Sequence, residues 1–544
     1  MDVLIGRVAR WAREIPDAPA YTFVDYLGAD SQGGGREHTL TWRQVDLKAR
    51  ALAVRLREVC APGDRAAILA PQSLEYVVAL LGAMYARVVA VPLFSPGLPG
   101  HAERLALAYA DADPVVVLTT STSAAMADLP PAKAVIAVDT VSDLLADEWE
   151  DEPIGPDDLA YLQYTSGSTR SPAGVEISHG NVGANAAQLW EAFGARPRTS
   201  VAALWLPLFH DMGLIAIMAC PIVGGNRAVF MDPVAFVMKP TRWMRLLSGH
   251  PDVYTGGPNF AFEYTAARAT DPADLEGLDL SGVRVMLNGA EPVRPSTISH
   301  FASVFGPYGL RPEAHTPGYG LAEATVFVAA GSTDAPPLVT DFDRDALAQG
   351  RAVPYRGEGH VSTLVSCGRP TGQQLRIDSP GDGQVGEIQV RGPNVARAYW
   401  RDPERTAEVF ADGWLRTGDL GVIHDGELYI TGRIKDLVIV DGRNHYPQDI
   451  EATVQEASDG VRKGHVAAFA VAGAETERLV VVAEWSRLAR DEDSVISEIR
   501  AAISREHKVA AQVVLVAAGA VPRTSSGKIA RRACQRAYLE GAFV

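Results

Sequence analysis

The stretch Tyr161-Leu-Gln-Tyr-Thr-Ser-Gly-Ser-Thr-Arg-Ser-Pro-Ala-Gly-Val175 is the most informative part of the sequence. It follows on from the apolar run Leu159 to Tyr164, which predicts a β-strand. The loop after this run is built of glycine and small hydroxyl residues, whose N–H and O–H groups are suited to wrapping a polyphosphate. The candidate phosphate-binding residues are Thr165, Ser166, Gly167, Ser168 and Thr169. A solvated turn has the same composition, so the rest of the chain must decide between the two interpretations.

Around this stretch, from about Arg65 to Asn288, short β-branched runs alternate with longer apolar helical runs. Ala66 to Leu69 and Val88 to Pro92 are typical strands, and a helix is predicted between them. Repeated β-α-β units predict an α/β fold with doubly wound, mostly parallel sheets covered by helices on both faces. Ligands in such folds bind beyond the carboxyl ends of the strands, where the loop after Tyr164 falls.

The pattern changes further along the chain. Short strands and turns between about Val361 and Ile430 predict a small β-subdomain, and a compact α+β segment follows Asp436. We therefore expect an N-terminal domain of residues 1–432 and a small α+β C-terminal domain of residues 433–544.

Composition excludes several classes of protein. The chain has 544 residues, 47% hydrophobic and 21% charged, as in ordinary globular enzymes. Its net charge of -16 argues against nucleic acid as a partner, although a local basic cluster could still meet an acidic protein. That cluster consists of Arg523, Lys528, Arg531 and Arg532, and a solvated terminal helix is its simpler interpretation.

The four cysteines are far apart and predict buried, reduced thiols rather than disulfides or metal ligands. The start of the sequence lacks the pattern of a signal peptide. The longest apolar stretch, Tyr76 to Phe94, contains Arg87 and predicts a buried helix and strand, so we expect no integral membrane segment. A cytoplasmic protein, monomeric or weakly dimeric, is the expectation.

Three further distinctive segments follow downstream in the sequence. They are Gly318-Tyr-Gly-Leu-Ala-Glu-Ala-Thr325, Trp414-Leu-Arg-Thr-Gly-Asp-Leu420 and Pro522-Arg-Thr-Ser-Ser-Gly-Lys-Ile529. Together with the first stretch, this ordered set resembles the signature of the adenylate-forming superfamily of acyl and aryl ligases. Walker, dinucleotide-binding and nucleophile-elbow motifs are absent from the sequence.

The resemblance implies ATP and Mg²⁺ as cofactors. Activating a carboxylic acid brings two anions together, so the site must neutralise charge and stabilise the departing pyrophosphate. Glu323 is the candidate for holding Mg²⁺, and Lys528 would bring positive charge to the carboxylate. Out of context, the two would be an ordinary surface acid and an exposed lysine.

The resemblance also implies which residues bind the adenosine part of ATP. Asp419 would accept hydrogen bonds from the ribose hydroxyls with help from Arg433, and the ring of Tyr319 would lie on the adenine. The remaining candidates on the ATP/AMP side are Gly289, Ala290, Glu291, Gly320, Leu321 and Ala322. Alanine at 322 replaces a threonine usual in the superfamily, and Ala173 replaces a lysine near the phosphates, which makes Arg170 a candidate substitute.

Within the superfamily the chain is most similar to fatty acyl-AMP ligases, which pass the acyl-adenylate to the phosphopantetheine thiol of an acyl carrier protein. The segment of residues 332–366 resembles the insertion that distinguishes them from acyl-CoA ligases. That insertion is thought to restrain the C-terminal domain and disfavour free CoA. The alternative is that residues 332–366 form a surface loop without such a role. Lys435 is the expected hinge for rotation of the C-terminal domain.

The acyl pocket is expected along Thr255-Gly-Gly-Pro-Asn-Phe-Ala-Phe262 and the helix that follows Asp211. Its candidate residues are Asp211, Met212, Gly256, Gly257 and Phe260. His210, a catalytic candidate, occupies the position of a gating aromatic near the acyl and thiol entrances, although a histidine that merely packs under the loop would look the same.

We therefore expect ATP-dependent activation of a free medium- or long-chain fatty acid to acyl-adenylate, followed by transfer to a carrier protein for polyketide, lipopeptide or complex-lipid synthesis. Three alternatives stay open at this point: an acyl-CoA ligase, an amino-acid-activating domain, and a catalytically inactive adenylate-binding homologue.

Overall fold

A computed structural model describes residues 3–26, 35–96, 102–126, 128–164, 173–440, 443–472, 477–486, 491–524 and 528–543. Two large sheets organise the first 370 or so of these residues. The larger has nine strands within the described ranges. In spatial order they are Arg369–Pro370, Phe327–Ala330, His315–Gly320, Val283–Gly289, Val253–Pro258, Val201–Leu204, Arg227–Met231, Pro19–Asp25 and Arg36–Thr41. The six strands from His315–Gly320 to Pro19–Asp25 pair in parallel.

The second sheet has six described strands. In spatial order they are Ala134–Ala137, Val116–Thr119, Arg65–Ile68, Val89–Pro92, Leu159–Tyr164 and Gly174–Ser178. All pairs are parallel except the last, in which Leu159–Tyr164 runs antiparallel to Gly174–Ser178 across the candidate phosphate loop. The predicted parallel α/β architecture is confirmed, and the carboxyl end of Leu159–Tyr164 faces the site.

Helices cover these sheets and fill the space between them. The α-helices are Leu4–Glu14, Trp42–Arg57, Leu74–Tyr85, Ala102–Ala112, Ser121–Met126, His179–Ala192, Asp211–Gly213, Cys220–Gly224, Pro233–Met238, Thr241–Leu247, Asn259–Arg268, Pro272–Leu275, Pro295–Phe305, Arg344–Ala348, Pro403–Val409, Pro447–Ala457, Glu492–His507 and Arg531–Leu539. Capping boxes explain two starts: Thr41 with Gln44, and Ser178 with Asn181. The segment Leu214–Ala219, expected to be α-helical, is a π-helix.

Smaller sheets follow. Gln374–Asp378, Gly386–Arg391, Phe410–Ala411, Trp414–His424 and Glu427–Arg433 form an antiparallel sheet, which is the expected β-subdomain. Two-stranded pairs are Val339–Asp343 with Val361–Val365 and Val438–Val440 with Arg443–His445. Val461–Ala472, Glu477–Trp485 and Ala511–Val516 form the last sheet, packed by the helices of the same C-terminal segment. The domain boundary at 432/433 stays a prediction.

The main core lies between the two large sheets and is almost wholly apolar, with Trp42 and Trp243 fully buried. All four cysteines are buried free thiols, as predicted. None of the helices in the described ranges combines the length and apolarity that crossing a bilayer requires.

Candidate active site

A cavity of about 2400 Å³ lies where the carboxyl ends of the parallel strands meet the C-terminal segment. Most of the side chains that the sequence singled out line it. They are His210, Asp211, Met212, Phe260, Gly289, Ala290, Glu291, Tyr319, Gly320, Leu321, Ala322, Glu323, Asp419, Arg433, Lys435 and Lys528. Because these residues come from both sides of the predicted domain boundary, a ligand in the cavity would contact both parts.

The candidate phosphate loop, with Thr165, Ser166, Gly167, Ser168 and Thr169, lies outside the described residues. Its flanks are described and firmly held. The Tyr164 hydroxyl donates to Asp111 Oδ2 at 2.6 Å, and the backbone N–H of Trp400 donates to Gly174 O at 2.7 Å. Both ends of the loop are thus anchored where the strand reaches the cavity.

Asp419 is buried, and each of its carboxylate oxygens has a protein donor. The Tyr319 hydroxyl donates to Oδ2 at 2.7 Å and Arg433 Nε donates to Oδ1 at 2.8 Å. A carboxylate has roughly four lone-pair positions, so about two remain for the hydroxyls of a ligand. The adenine-side and ribose-side candidates are therefore coupled, because the hydrogen bond to Asp419 fixes the ring of Tyr319.

Glu323 lies on the 3₁₀ turn Ala322–Ala324, half-buried and facing the cavity. The Tyr399 hydroxyl donates to its Oε1 at 2.6 Å, and its other oxygen has no donor among the described residues. Thr325 has φ +67°, a strained value for a β-branched residue, and is held there by the 2.7 Å bond from its hydroxyl to Asn394 O. This strained turn fixes the direction of the carboxylate.

The donor set around Glu323 suits a magnesium ion brought in with phosphates. Within the described ranges, His, Cys, Asp and Glu side chains nowhere gather in threes in a way that could hold a metal ion. Mg²⁺ differs from most protein-caged metals in needing only one or two carboxylates, with water and substrate phosphates completing its shell. A single carboxylate with one unpartnered oxygen fits that pattern.

The strand end at Gly289 passes close to a neighbouring strand. A Cβ at this position would lie 2.8 Å from Gly318 O, and Ala290 next to it has a left-handed φ of +66°. The Glu291 side chain turns the other way, accepting the N–H of Phe260 at the start of the helix Asn259–Arg268. Burial raises the pKa of Glu291, and the Phe260 N–H opposes that shift. Glu291, predicted on the ATP side, thus contacts the acyl side.

Two glycines expected to line the acyl pocket do not lie on the cavity surface. Gly256 and Gly257 lie within the strand Val253–Pro258 and do not line the cavity as described. A Cβ at Gly256 would lie 2.9 Å from Met212 Cε, so the glycine makes room for a wall residue rather than for the ligand itself. Met212 and Phe260 line the cavity as predicted.

Lys528 enters the cavity from the C-terminal segment. Its backbone is paired with that of Thr524: the Lys528 N–H donates to Thr524 Oγ1 at 3.1 Å, and the Thr524 N–H donates to Lys528 O at 2.8 Å. Burial lowers the pKa of Lys528, and the charges of Asp211 and Glu291 act in the opposite direction. The ammonium therefore faces two carboxylates contributed by the N-terminal part of the chain.

Arg531 holds the segment that follows Lys528. Its Nε and Nη2 donate to the two carboxylate oxygens of Glu451 at 2.7 and 2.8 Å, and its Nη1 donates to Asp436 at 3.2 Å. Asp436 belongs to the exposed turn Ile434–Asp436, which contains the predicted hinge residue Lys435. Sequence analysis assigned Arg531 only to a basic cluster, because its partners lie 80 and 95 residues away in the chain.

The segment of residues 332–366 makes polar contacts with the C-terminal part of the chain. Arg344 Nη1 donates to Glu506 O at 3.3 Å, and Lys508 Nζ donates to Asp345 Oδ2 at 2.7 Å. In addition, the Ser362 hydroxyl donates to Asp449 Oδ2 of the helix Pro447–Ala457 at 3.1 Å.

Apolar packing connects the same segment in two directions. Phe342 and Leu347 share a buried cluster with Tyr446 of the C-terminal part and with Val422 and Tyr429 of the β-subdomain. The segment is therefore a bridge between the two parts, which a surface excursion would not be.

Comparisons with known proteins agree with this geometry. Residues 8–400 match the AMP-binding enzyme family, and residues 435–544 match the family described as Disco-interacting protein 2-like, AMP domain. The long-chain-fatty-acid–AMP ligase FadD32 of Mycolicibacterium smegmatis is 42% identical over 99% of this chain and 95% of its own length. The long-chain-fatty-acid–AMP ligase FadD26 of Mycobacterium marinum is 45% identical over 98% of this chain and 96% of its own length.

A solved structure is also similar. The fatty acyl-adenylate ligase from L. pneumophila in complex with acyl adenylate and pyrophosphate has a TM-score of 0.76 and 35% identity. The match covers 99% of this chain and 96% of that one. The resemblance and the α/β fold expected from the sequence are thereby confirmed. The chain belongs to the AMP-binding enzyme family and, within it, to the fatty acyl-AMP ligases.

Proposed function

We propose that this enzyme converts a free medium- or long-chain fatty acid and ATP to acyl-adenylate and pyrophosphate, acting as a monomer or weak dimer. It then transfers the acyl group to the phosphopantetheine thiol of an acyl carrier protein, for polyketide, lipopeptide or complex-lipid synthesis. The observation that carries the proposal is the meeting of Lys528, Asp419 and Glu323 in one cavity with the apolar wall at Met212 and Phe260.

The charges in this cavity suit the adenylation step. Carboxylate and α-phosphate repel one another, so a buried ammonium beside the point of attack lowers the barrier more than it would in water. Lys528 supplies that cation. Asp419, held by Tyr319 and Arg433, would orient the ribose, so that the α-phosphate is presented to the carboxylate in a fixed direction.

Magnesium would be held by Glu323 together with phosphate oxygens of the bound nucleotide. When bound, it neutralises charge on the phosphates as pyrophosphate departs. The Tyr399 hydroxyl, hydrogen-bonded to Glu323 Oε1, keeps the carboxylate in place and leaves its other oxygen for the ion. The phosphate grip itself is assigned to Thr165–Thr169.

The carrier protein, rather than free CoA, is the proposed acceptor because of the bridge formed by residues 332–366. Rotation of residues 433–544 about Lys435 would bring the thiol to the adenylate, and the bridge holds those residues through Arg344, Asp345 and Phe342. A restrained rotation disfavours an acceptor that binds weakly and without a protein surface of its own.

Deleting residues Phe342 to Arg351 should raise acyl-CoA formation. The deletion removes the apolar packing of Phe342 and Leu347 and the ion pairs to Glu506 and Lys508, of which the ion pairs alone are worth together roughly 1–2 kcal/mol. Such a loss would increase the population of the rotated arrangement, and hence the rate with CoA, by about tenfold. The measurement is acyl-CoA formed per minute against acyl-carrier protein formed by the same sample.

Point variants make the test sharper. Arg344→Ala with Asp345→Ala should act in the same direction, whereas Arg351→Ala is a matched control, since the Arg351 side chain donates to Gln349 within the bridge at 2.8 Å. An unaltered enzyme that uses CoA as readily as a holo carrier protein would make the acyl-CoA ligase alternative correct.

If adenylation depends on a charged Lys528, its pH–rate profile should have an alkaline limb, a fall in rate with rising pH, that begins at an unusually low pH. Burial lowers the pKa of Lys528, and the ammonium exists only below that pKa. Adenylate formation should therefore fall at a lower pH than an ordinary lysine would give. Lys528→Arg, slower overall because its shape differs, stays charged and should lose this limb. Pyrophosphate exchange measured from neutral pH upward checks it, and identical limbs in both proteins would exclude Lys528 as the titrating group.

A further inference from the structure

His210 and Asp211 form an imidazole–carboxylate pair in the cavity wall. Nδ1 of His210 lies 2.6 Å from Asp211 Oδ1. The N–H of Met212 lies 2.7 Å from the same oxygen but 3.4 Å from Nδ1, so the carboxylate is its main acceptor. A contact of 2.6 Å to a carboxylate places a proton on Nδ1. The neutral ring then carries its lone pair on Nε2.

The loop that carries this pair is held from two sides. Gln72 Nε2 donates to Leu206 O at 3.1 Å, and Gln163 Nε2 donates to Phe209 O at 3.0 Å. Just after the pair, a Cβ at Gly213 would lie 2.1 Å from the carbonyl oxygen of the preceding turn, so only glycine allows this approach. The π-helix that follows is a form that often marks functional sites.

The ring is accessible on the side away from its partner. His210 lines the cavity with a fifth of its side chain exposed (20%), while the Asp211 side chain is 15% exposed. Since Nδ1 is engaged with the carboxylate, the accessible edge is the one that carries Nε2. In the described part of the chain no group donates a hydrogen bond to Nε2, which is free to receive a proton from a group entering the cavity.

Charged neighbours reach the pair from several elements. Burial alone would raise the pKa of Asp211, yet His210, Lys528 and the Met212 N–H lower it overall. The buried hydroxyl of Tyr161 also faces Asp211. Lys528 in turn interacts with Arg433, Glu291 and Asp419. In this arrangement Asp211 shares its charge between an ammonium and an imidazole.

We propose that His210, oriented by Asp211, is the general base that deprotonates the incoming thiol in the transfer half-reaction. The inference rests on the proposed function. His210 Nε2 takes the proton of the thiol, and the sulfur electron pair forms the C–S bond at the adenylate carbonyl carbon. The bond from that carbon to the phosphate oxygen breaks, and its electron pair leaves with AMP. The proton then passes from the imidazolium to solvent.

The thiol needs such help. An ordinary thiol has a pKa of about 8.5, so only a few per cent is thiolate at pH 7, and a positioned base typically contributes about 10²–10⁴-fold. The same rotation that admits the thiol removes Lys528 from the cavity. Asp211 then no longer shares its contacts with the lysine and is left to orient the His210 ring.

The test starts from supplied dodecanoyl-adenylate, so that adenylation plays no part, and uses a holo acyl carrier protein as the thiol in single-turnover reactions from pH 6 to 9.5. His210→Gln should lower transfer at pH 7 by about 100-fold or more. The deficit should shrink as pH rises and the thiol ionises by itself, and added imidazole should restore part of the rate. Asp211→Asn, which keeps the shape of the side chain, should lose at least about tenfold.

His300→Gln is the matched control. His300 lines the same cavity and is paired with a carboxylate, Nδ1 lying 2.9 Å from Glu263 Oε1, and its loss should change transfer by less than about threefold. Equal transfer by His210→Gln and wild type would overturn the proposal. A deficit constant over the whole pH range and insensitive to imidazole would also overturn it, because that is the behaviour of a packing residue. Absence of transfer by the wild type would instead contradict the proposed function.

Discussion

Lys528→Ala should lower acyl-adenylate formation by about two orders of magnitude or more, the usual loss when a key electrostatic contact in a dry site is removed. Lys528 is half-buried in the cavity, and its ammonium interacts with carboxylates of the N-terminal part of the chain. Alanine leaves the developing negative charge without a cation. Fatty-acid-dependent pyrophosphate exchange measures the loss, and product analysis measures acyl-AMP directly.

Lys463→Ala is the control for this substitution. Lys463 is an exposed lysine on the rim of the same cavity, so its removal changes the local charge equally without emptying the candidate catalytic position. Pyrophosphate exchange should stay within about twofold of wild type, as for most exposed substitutions. Near-normal exchange by Lys528→Ala would show that the assigned role is wrong.

Lys435→Pro should separate the two half-reactions. Lys435 is exposed in the 3₁₀ turn Ile434–Asp436, at the junction of the two predicted domains. One site cannot serve both steps while Lys528 occupies the space that the thiol must enter. Proline fixes φ and removes an N–H, and should therefore favour one arrangement over the other. Adenylate formation and thiol transfer, measured separately, should then change unequally, by about tenfold or more relative to each other.

Lys435→Ala provides the matched control, because alanine removes the same side chain and leaves the backbone free. Both half-reactions should stay close to wild type in that variant. Equal losses in both steps of Lys435→Pro would indicate general misfolding. Unchanged rates in both steps would place the hinge at another residue.

Local patterns predicted the parallel architecture well, because the strands of a doubly wound sheet are short apolar runs separated by amphipathic helices. The strand Leu159–Tyr164 has the predicted bounds. The π-helix at Leu214–Ala219 was not predicted. An apolar run has the same composition in either helical form, so the composition of Leu214–Ala219 could not distinguish the two.

Long-range polar pairs account for most of what the sequence could not reveal about the site. Tyr399 on Glu323 and the pairing of Arg531 with Glu451 involve residues 76 and 80 positions apart. No local spacing marks such partners. Motifs identified which residues belong to the site, whereas the folded chain is needed to show that Glu291 contacts the acyl-side helix at Phe260.

The central claim is that this chain activates free fatty acids as adenylates. The most direct measurement is ATP–pyrophosphate exchange by the purified full-length chain with Mg²⁺, across saturated free acids from four to eighteen carbons, without carrier protein or CoA. We predict exchange that depends on added acid, is highest for medium or long chains, and is accompanied by acyl-AMP. Exchange that is absent with every acid, or that requires a thiol before any pyrophosphate is released, would contradict the account.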